Sequence, residues 1–107
     1  MKFFLTIWTV FISSTVVAGD WSPTTKLGQI NAGYLDGKII FSADEMHNPA
    51  SCATNHYEVN ASDADVTAAL SLLLVAQSRG ASVQVAVHQS KCGVSNYPLV
   101  TRIKLLD

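Results

Sequence analysis

A chain of 107 residues with a formal net charge of −1 has room for one modest domain, and with no basic run or face it is a poor partner for nucleic acid or an anionic membrane. Its 49% hydrophobic content is concentrated at the N-terminus, so the rest of the chain is more polar than the whole suggests. Without Lys2 the remaining chain has six cations (Lys26, Lys38, Arg79, Lys91, Arg102 and Lys104) against eight carboxylates, an excess of two acids.

Lys2, the apolar run Phe3 to Ile12 and the small residues from Ser13 to Gly19 have the order of a secretory signal peptide. Cleavage after Ala18 places Val16 and Ala18 in the recognition positions. The expected division is a signal peptide at 1–18 and one domain at 19–107, secreted or periplasmic and with no membrane segment in the mature form. The apolar stretch ends at Ala18, short of the roughly 20 residues a spanning helix needs.

A domain of this size buries only about 60 to 65% of its unfolded-chain surface and benefits from a covalent staple. Cys52 and Cys92 are its two cysteines, and an oxidising compartment favours their pairing. The bridge would close a loop of about 41 residues, a stabilisation of roughly 4 kcal/mol in the chain-entropy account.

In chain order, Trp21 to Thr25 reads as an irregular arm and Lys26 to Leu35 as a first strand. Leu27 and Ile30 cannot share a face of an ideal strand, so a bulge is expected near Gly28. Asp36-Gly37 is a hairpin signal, which makes 38–42 the antiparallel return strand. A polar loop from Asp44 to Asn55 holds Cys52, and 56–59 alternates as a short third strand. Ser62 is the expected helix cap, with Asp63 and Asp65 at the positive end of the dipole. The helix ends at Arg79-Gly80, a terminal cation followed by a residue suited to the left-handed stop. Val83 to Val87 and Thr101 to Leu106 alternate as two last strands around a loop at 89–98.

The order strand, strand, strand, helix, strand, strand describes a mainly β, α+β domain. It is the order of the five-stranded OB-fold barrel, with a small α+β sandwich as the alternative. The helix is apolar nearly all round from Ala68 to Ala76, more than one packed face requires, so a further surface is expected to cover it.

Ala69-Leu70-Ser71-Leu72-Leu73-Leu74-Val75-Ala76, then Ser78-Arg79-Gly80, Val83-Gln84-Val85, Tyr97-Pro98 and Val100, resembles the helix-to-strand segment of the B subunit of subtilase cytotoxin. The same pattern is similar to that of many small secreted bacterial proteins of unknown role. The resemblance spans about residues 68–105, with weaker similarity in the 33–37 hairpin. It implies an OB-fold, assembly into a homopentamer packed through helix 63–79, recognition of a host glycan and a separate A chain. The family's sugar pocket lies near the start of the first strand, which points to Trp21 and Thr25. Tyr34, Thr24, Asn96 and Tyr97 are further aromatic, hydroxyl or amide candidates.

Catalytic residues, metal ligands and cofactors are not expected. His47, Cys52 and His56 have a ligand-like spacing, but a cysteine held in a disulfide is no ligand, and a structural zinc site wants a fourth group. The same bridge removes any Cys-His nucleophile. Asp44-Glu45 reads as a solvated pair and His88 as a polar-face strand residue. The function expected is a non-enzymatic binding module, with a free-standing periplasmic interaction or inhibitor protein as the alternative.

Overall fold

The computed structural model describes residues 21–107; the signal peptide expected at 1–18 lies outside the described residues. The elements are β1 (Leu27–Asn31), β2 (Ile39–Ala43), β3 (Tyr57–Val59), α1 (Val66–Arg79), β4 (Val83–Cys92) and β5 (Pro98–Leu105). They build a mainly β structure with one helix, in which the strands form a mixed sheet in the order β1-β2-β3-β5-β4. Every neighbouring pair is antiparallel except β3 and β5, which run parallel. Sheet neighbours therefore depart from chain order after β3, because α1 carries the chain away before β4 and β5 return.

The irregular first strand has a definite cause. Leu27 pairs with Ala43 and Ile30 with Phe41, so β1 holds one residue more than β2 over that span. This bulge lets both Leu27 and Ile30 pack on the core. Ser42 secures it by accepting the Gln29 amide at 2.8 Å, and Gly28 leaves the room, since a Cβ there would lie 2.5 Å from the Ser42 hydroxyl. β1 ends at Asn31, earlier than the pattern suggested, because the chain turns through Gly33 and Gly37 at positive φ. The Gly37 amide closes the turn on the Tyr34 carbonyl at 2.9 Å.

Alternate residues of the strands fill one core: Ile39 and Phe41, Tyr57 and Val59, Val83, Val85 and Val87, with Leu73 and Ala76 of α1 over them. The Phe41 and Tyr57 rings lie 5.2 Å apart in a tilted contact. Burial raises the Tyr57 phenol above its ordinary pKa, opposed by the His47 amide, which donates to its hydroxyl at 2.7 Å.

The helix begins three residues later than Ser62 as cap would place it. Residues 60–63 form their own turn, with the amides of Asp63 and Ala64 both on the Asn60 carbonyl at 3.0 Å. Asp65 is the cap, extended at φ −78, and its carboxylate accepts the Ala68 amide at 3.0 Å. The stop is as read: Gly80 is left-handed at φ 63, and the Ala81 amide reaches the Ala76 carbonyl at 2.9 Å. Only Ala69, Leu73 and Ala76 of the helix are buried, whereas Leu74 and Val75 stay 51% and 41% exposed.

β4 runs to Cys92, so the connection to β5 is the short 93–97 rather than the expected 89–98. Gln89, Ser90 and Lys91 are exposed and carry no alternating apolar signal, which hides the strand from a pattern reading. Pro98 opens β5, a strand position that tolerates a missing amide. β5 also bulges: Ala86 faces Arg102 and Val87 faces Val100, leaving Thr101 as the extra residue.

Candidate functional site

The arm before β1 ties the two ends of the sheet together. Trp21 bridges Ala86 and Thr25 bridges Val83, both antiparallel, so the segment leading into edge strand β1 also lies along edge strand β4. The Thr25 and Val83 amides exchange 2.9 Å bonds with each other's carbonyls, and Ser22 donates its amide to Val85 at 2.7 Å. In return the Ser22 hydroxyl, buried with its residue, accepts the Val85 amide at 2.9 Å in place of a backbone carbonyl.

This closure fixes Trp21 in a half-buried position against the outward-facing side of β4 and β5. The Lys104 ammonium lies 4.4 Å and the Arg102 guanidinium 5.2 Å from its ring centroid, both within cation–π range. Gln84 donates to the Ser22 carbonyl at 3.0 Å, which places an amide beside the same arm. Two cations thus lie over an aromatic ring on an accessible strand face, with the Gln84 amide bonded to the arm beside it.

Thr25 has a different place. It is 4% exposed, and its hydroxyl accepts the Glu45 amide at 2.7 Å, so it anchors the 44–45 turn onto the arm. The two residues share the arm but not its surface. Tyr34 sits 43% exposed at the hairpin with Lys38 4.4 Å from its ring, remote in sequence pairing from Trp21. Tyr97 packs beside His56, ring centroids 5.4 Å apart, and the His56 Nδ1 is buried with no hydrogen-bond partner. Asn96 stands next to Tyr97 with φ +67, and its amide and carbonyl serve the loop itself through Gly93 and Ala53.

One residue that pattern reading passed over organises that loop. Glu58 lies on the face of β3 away from the core and yet is fully buried. Its carboxylate accepts the amides of Val94 at 3.0 Å and Ser95 at 2.9 Å, and the Asn60 side chain at 2.9 Å. Gly93 passes so close to this carboxylate that a Cβ would collide with it. The disulfide Cys52–Cys92, with Cα atoms 5.7 Å apart, anchors the same loop from the other side, and the Ala53 amide adds a 2.7 Å bond to the Asn96 carbonyl. The sequence shows Glu58 only as a polar residue of the alternating 56–59 strand.

His88 is paired rather than merely solvated. Its Nε2 lies 3.0 Å from Asp63 Oδ1, and the Lys91 ammonium reaches the same oxygen at 3.2 Å. The Ser62 hydroxyl donates to the other oxygen at 2.7 Å. That Ser62 bond first, and then His88 and Lys91, hold the Asp63 carboxyl below its ordinary pKa against the opposing effect of burial. A depressed folded-state pKa gives stability that is present above the unfolded value and lost as pH falls through the folded one. The stability difference between the native protein and Asp63→Asn is therefore expected to shrink in denaturant titrations as pH falls below the ordinary aspartate range.

Among the described residues no three His, Cys, Asp or Glu side chains are placed to hold a metal ion, and no helix is long and apolar enough to cross a membrane. Both cysteines are consumed by the bridge. Compared with protein-family models, with curated proteins and with solved structures, the chain matches none.

Proposed function

We propose that the chain is an exported, non-enzymatic binding module with an OB-type barrel, and that its ligand is a saccharide held at the Trp21 face. The barrel reading is supported by the arm, which bridges β4 while continuing into β1, together with the parallel β3–β5 pair. Export is supported by the leader-like first 18 residues and by a disulfide that an oxidising compartment would maintain.

The observation that carries the ligand reading is the half-buried Trp21 ring with Arg102 and Lys104 over it on an accessible strand face. A pyranose ring offers apolar C–H faces and many hydroxyls; the indole complements the first, and the long, exposed Arg102 and Lys104 side chains, on moving off the ring, the second. On β3, part of the usual OB ligand face, the outward-facing Glu58 is covered by the 93–97 loop, which leaves that strand unsuited. Thr25 supports the site from behind by fixing the arm.

Assembly of several copies through α1 belongs to the same reading, since Leu74 and Val75 remain exposed on it. A separate A chain would then be carried by the assembled ring, as the toxin resemblance implies.

A glycan array probed with the oxidised mature protein tests the ligand. Retention on a restricted saccharide class, lost in Trp21→Ala and kept in Tyr34→Ala, is the expected outcome; no retention on any glycan, or retention indifferent to Trp21, refutes it. One observation favours the alternative of a protein-binding module: Val94 projects 77% exposed from a loop held by Glu58 and the disulfide.

A further inference from the structure

Cys52 reaches its partner from a loop that is tied at several points without the help of sulfur. Between β2 and β3 the Glu45 amide is bonded to the Thr25 hydroxyl, the His47 amide to the Tyr57 hydroxyl and the Ala53 amide to the Asn96 carbonyl, each at 2.7 Å. Within the loop one side chain brackets the cysteine itself. Asn48 Oδ1 accepts the Cys52 amide at 2.7 Å, and Asn48 Nδ2 donates to the Cys52 carbonyl at 2.6 Å. Both backbone groups of Cys52 are thereby taken by one side chain, much as a neighbouring strand would take them. The Ser51 amide closes the same turn on the Asn48 carbonyl at 3.3 Å. Ser51 stands at φ +58, a left-handed conformation that a residue with a side chain keeps only where its surroundings hold it.

The other half of the bridge is held as independently. Cys92 pairs with Pro98 at the end of β4, and the 93–97 loop beyond it is fixed by the Glu58 carboxylate. The two cysteines differ in access, since Cys52 is 7% exposed and Cys92 is half-buried.

We propose that the bridge closes late, on a framework already folded, and in a fixed order: Cys92 meets the oxidant, and Cys52, held by Asn48, displaces it. In the first step the Cys92 thiolate attacks a disulfide oxidant such as oxidised glutathione. A mixed disulfide forms, and one thiol of the oxidant leaves with the electron pair of the broken bond. In the second step the Cys52 thiol gives its proton to water, its sulfur attacks Cys92 Sγ, and the second oxidant thiol leaves. Two cysteines are oxidised and one disulfide is reduced to two thiols. Access selects the first sulfur, because exchange needs an attacking thiolate that the oxidant can reach. Position selects the second, because a sulfur fixed within reach acts at a high effective concentration. Asn48 is thus a positioning residue for a covalent step, and this role does not depend on what Trp21 holds.

To test it, the reduced protein is exposed to oxidised glutathione with and without urea. Alkylation at timed intervals followed by mass spectrometry then separates free, mixed and closed forms. Without urea, Asn48→Ala is expected to slow closure about tenfold, and in urea, where the bracket is gone, to leave it unchanged. Asn48→Asp keeps an acceptor for the Cys52 amide and loses the donor to its carbonyl, so it should fall between. It carries the test if Asn48→Ala does not fold when reduced. With one thiol each, Cys52→Ser is expected to take up glutathione about tenfold faster than Cys92→Ser without urea, and at a similar rate in urea. A reduced protein that lacks the native far-ultraviolet spectrum overturns closure on a folded framework. Closure at the native rate in the folded Asn48 variants overturns the role of Asn48. Equal or reversed glutathione uptake by the two single-cysteine variants overturns the order.

Discussion

Replacing Cys52 and Cys92 together by serine is expected to lower the melting temperature by about 15–30 °C. The bridge spans a sequence separation of 40, nearly half of the described chain, and so removes a large share of the unfolded chain's freedom. The chain-entropy account puts that at about 4 kcal/mol, and a domain of this size loses roughly 4–8 °C for each kcal/mol. The location adds to the effect. Cys52 sits in the loop after β2 and Cys92 at the end of β4, so the bond joins two segments that otherwise meet through the 93–97 loop. Calorimetry of the oxidised and serine forms decides it, and a shift under about 5 °C would mean that the fold holds this region without the staple.

Glu58→Ala, which leaves the bridge intact, is expected to cost about 4 kcal/mol. It strands the amides of Val94 and Ser95, the latter's carboxylate bond being 2.9 Å long, and removes the partner of the Asn60 side chain. A donor left unsatisfied away from water costs about 1–3 kcal/mol, less where water reaches it as at the exposed Val94, and the cavity left by the fully buried Glu58 side chain adds to that. Glu58→Gln keeps the volume but offers one acceptor oxygen where the loop uses two, so it should fall between. Gly93→Ala attacks the same contact from the loop side, because its methyl group would occupy the carboxylate's place. The readouts are urea unfolding and amide hydrogen exchange: Val94 and Ser95 should lose protection while Val83 and Val85 in the core keep theirs. Unchanged protection at Val94 and Ser95 in Glu58→Ala would show that the disulfide alone fixes the loop.

How far the sequence was legible follows from which interactions are local. The helix stop at Gly80, the Asp36-Gly37 turn and the Gly28 bulge each follow from backbone rules acting over a few residues, and each is found. The cysteine pairing followed from there being two thiols in an export-type chain. The helix start was missed because Ser62, Asp63 and Asp65 are all competent caps, and the choice fell to the turn anchored on Asn60. The full length of β4 was hidden because residues 89–91 face solvent and the register with β5 breaks after Val87, resuming only at Cys92.

At the candidate site the arm was legible and its geometry was not. Trp21 and Thr25 are four residues apart, yet one presents a ring to Arg102 and Lys104 while the other is spent on the Glu45 amide. That difference comes from the long-range bridges to β4, which no local pattern reports. Glu58 was read as the polar half of an alternating strand. Its role depends on a loop some 36 residues later in the chain folding over it.

The most direct test of the saccharide reading uses the chain's own chromophore. With the signal peptide expected at 1–18 removed, Trp21 would be the one tryptophan left, the other being Trp8. Its fluorescence should respond saturably when the oxidised mature protein is titrated with the saccharides retained on the array, with a blue shift as ligand displaces water from the half-buried indole. An emission spectrum that stays unchanged through saturating saccharide, while binding is registered calorimetrically, would contradict the account by placing the ligand away from the Trp21 face.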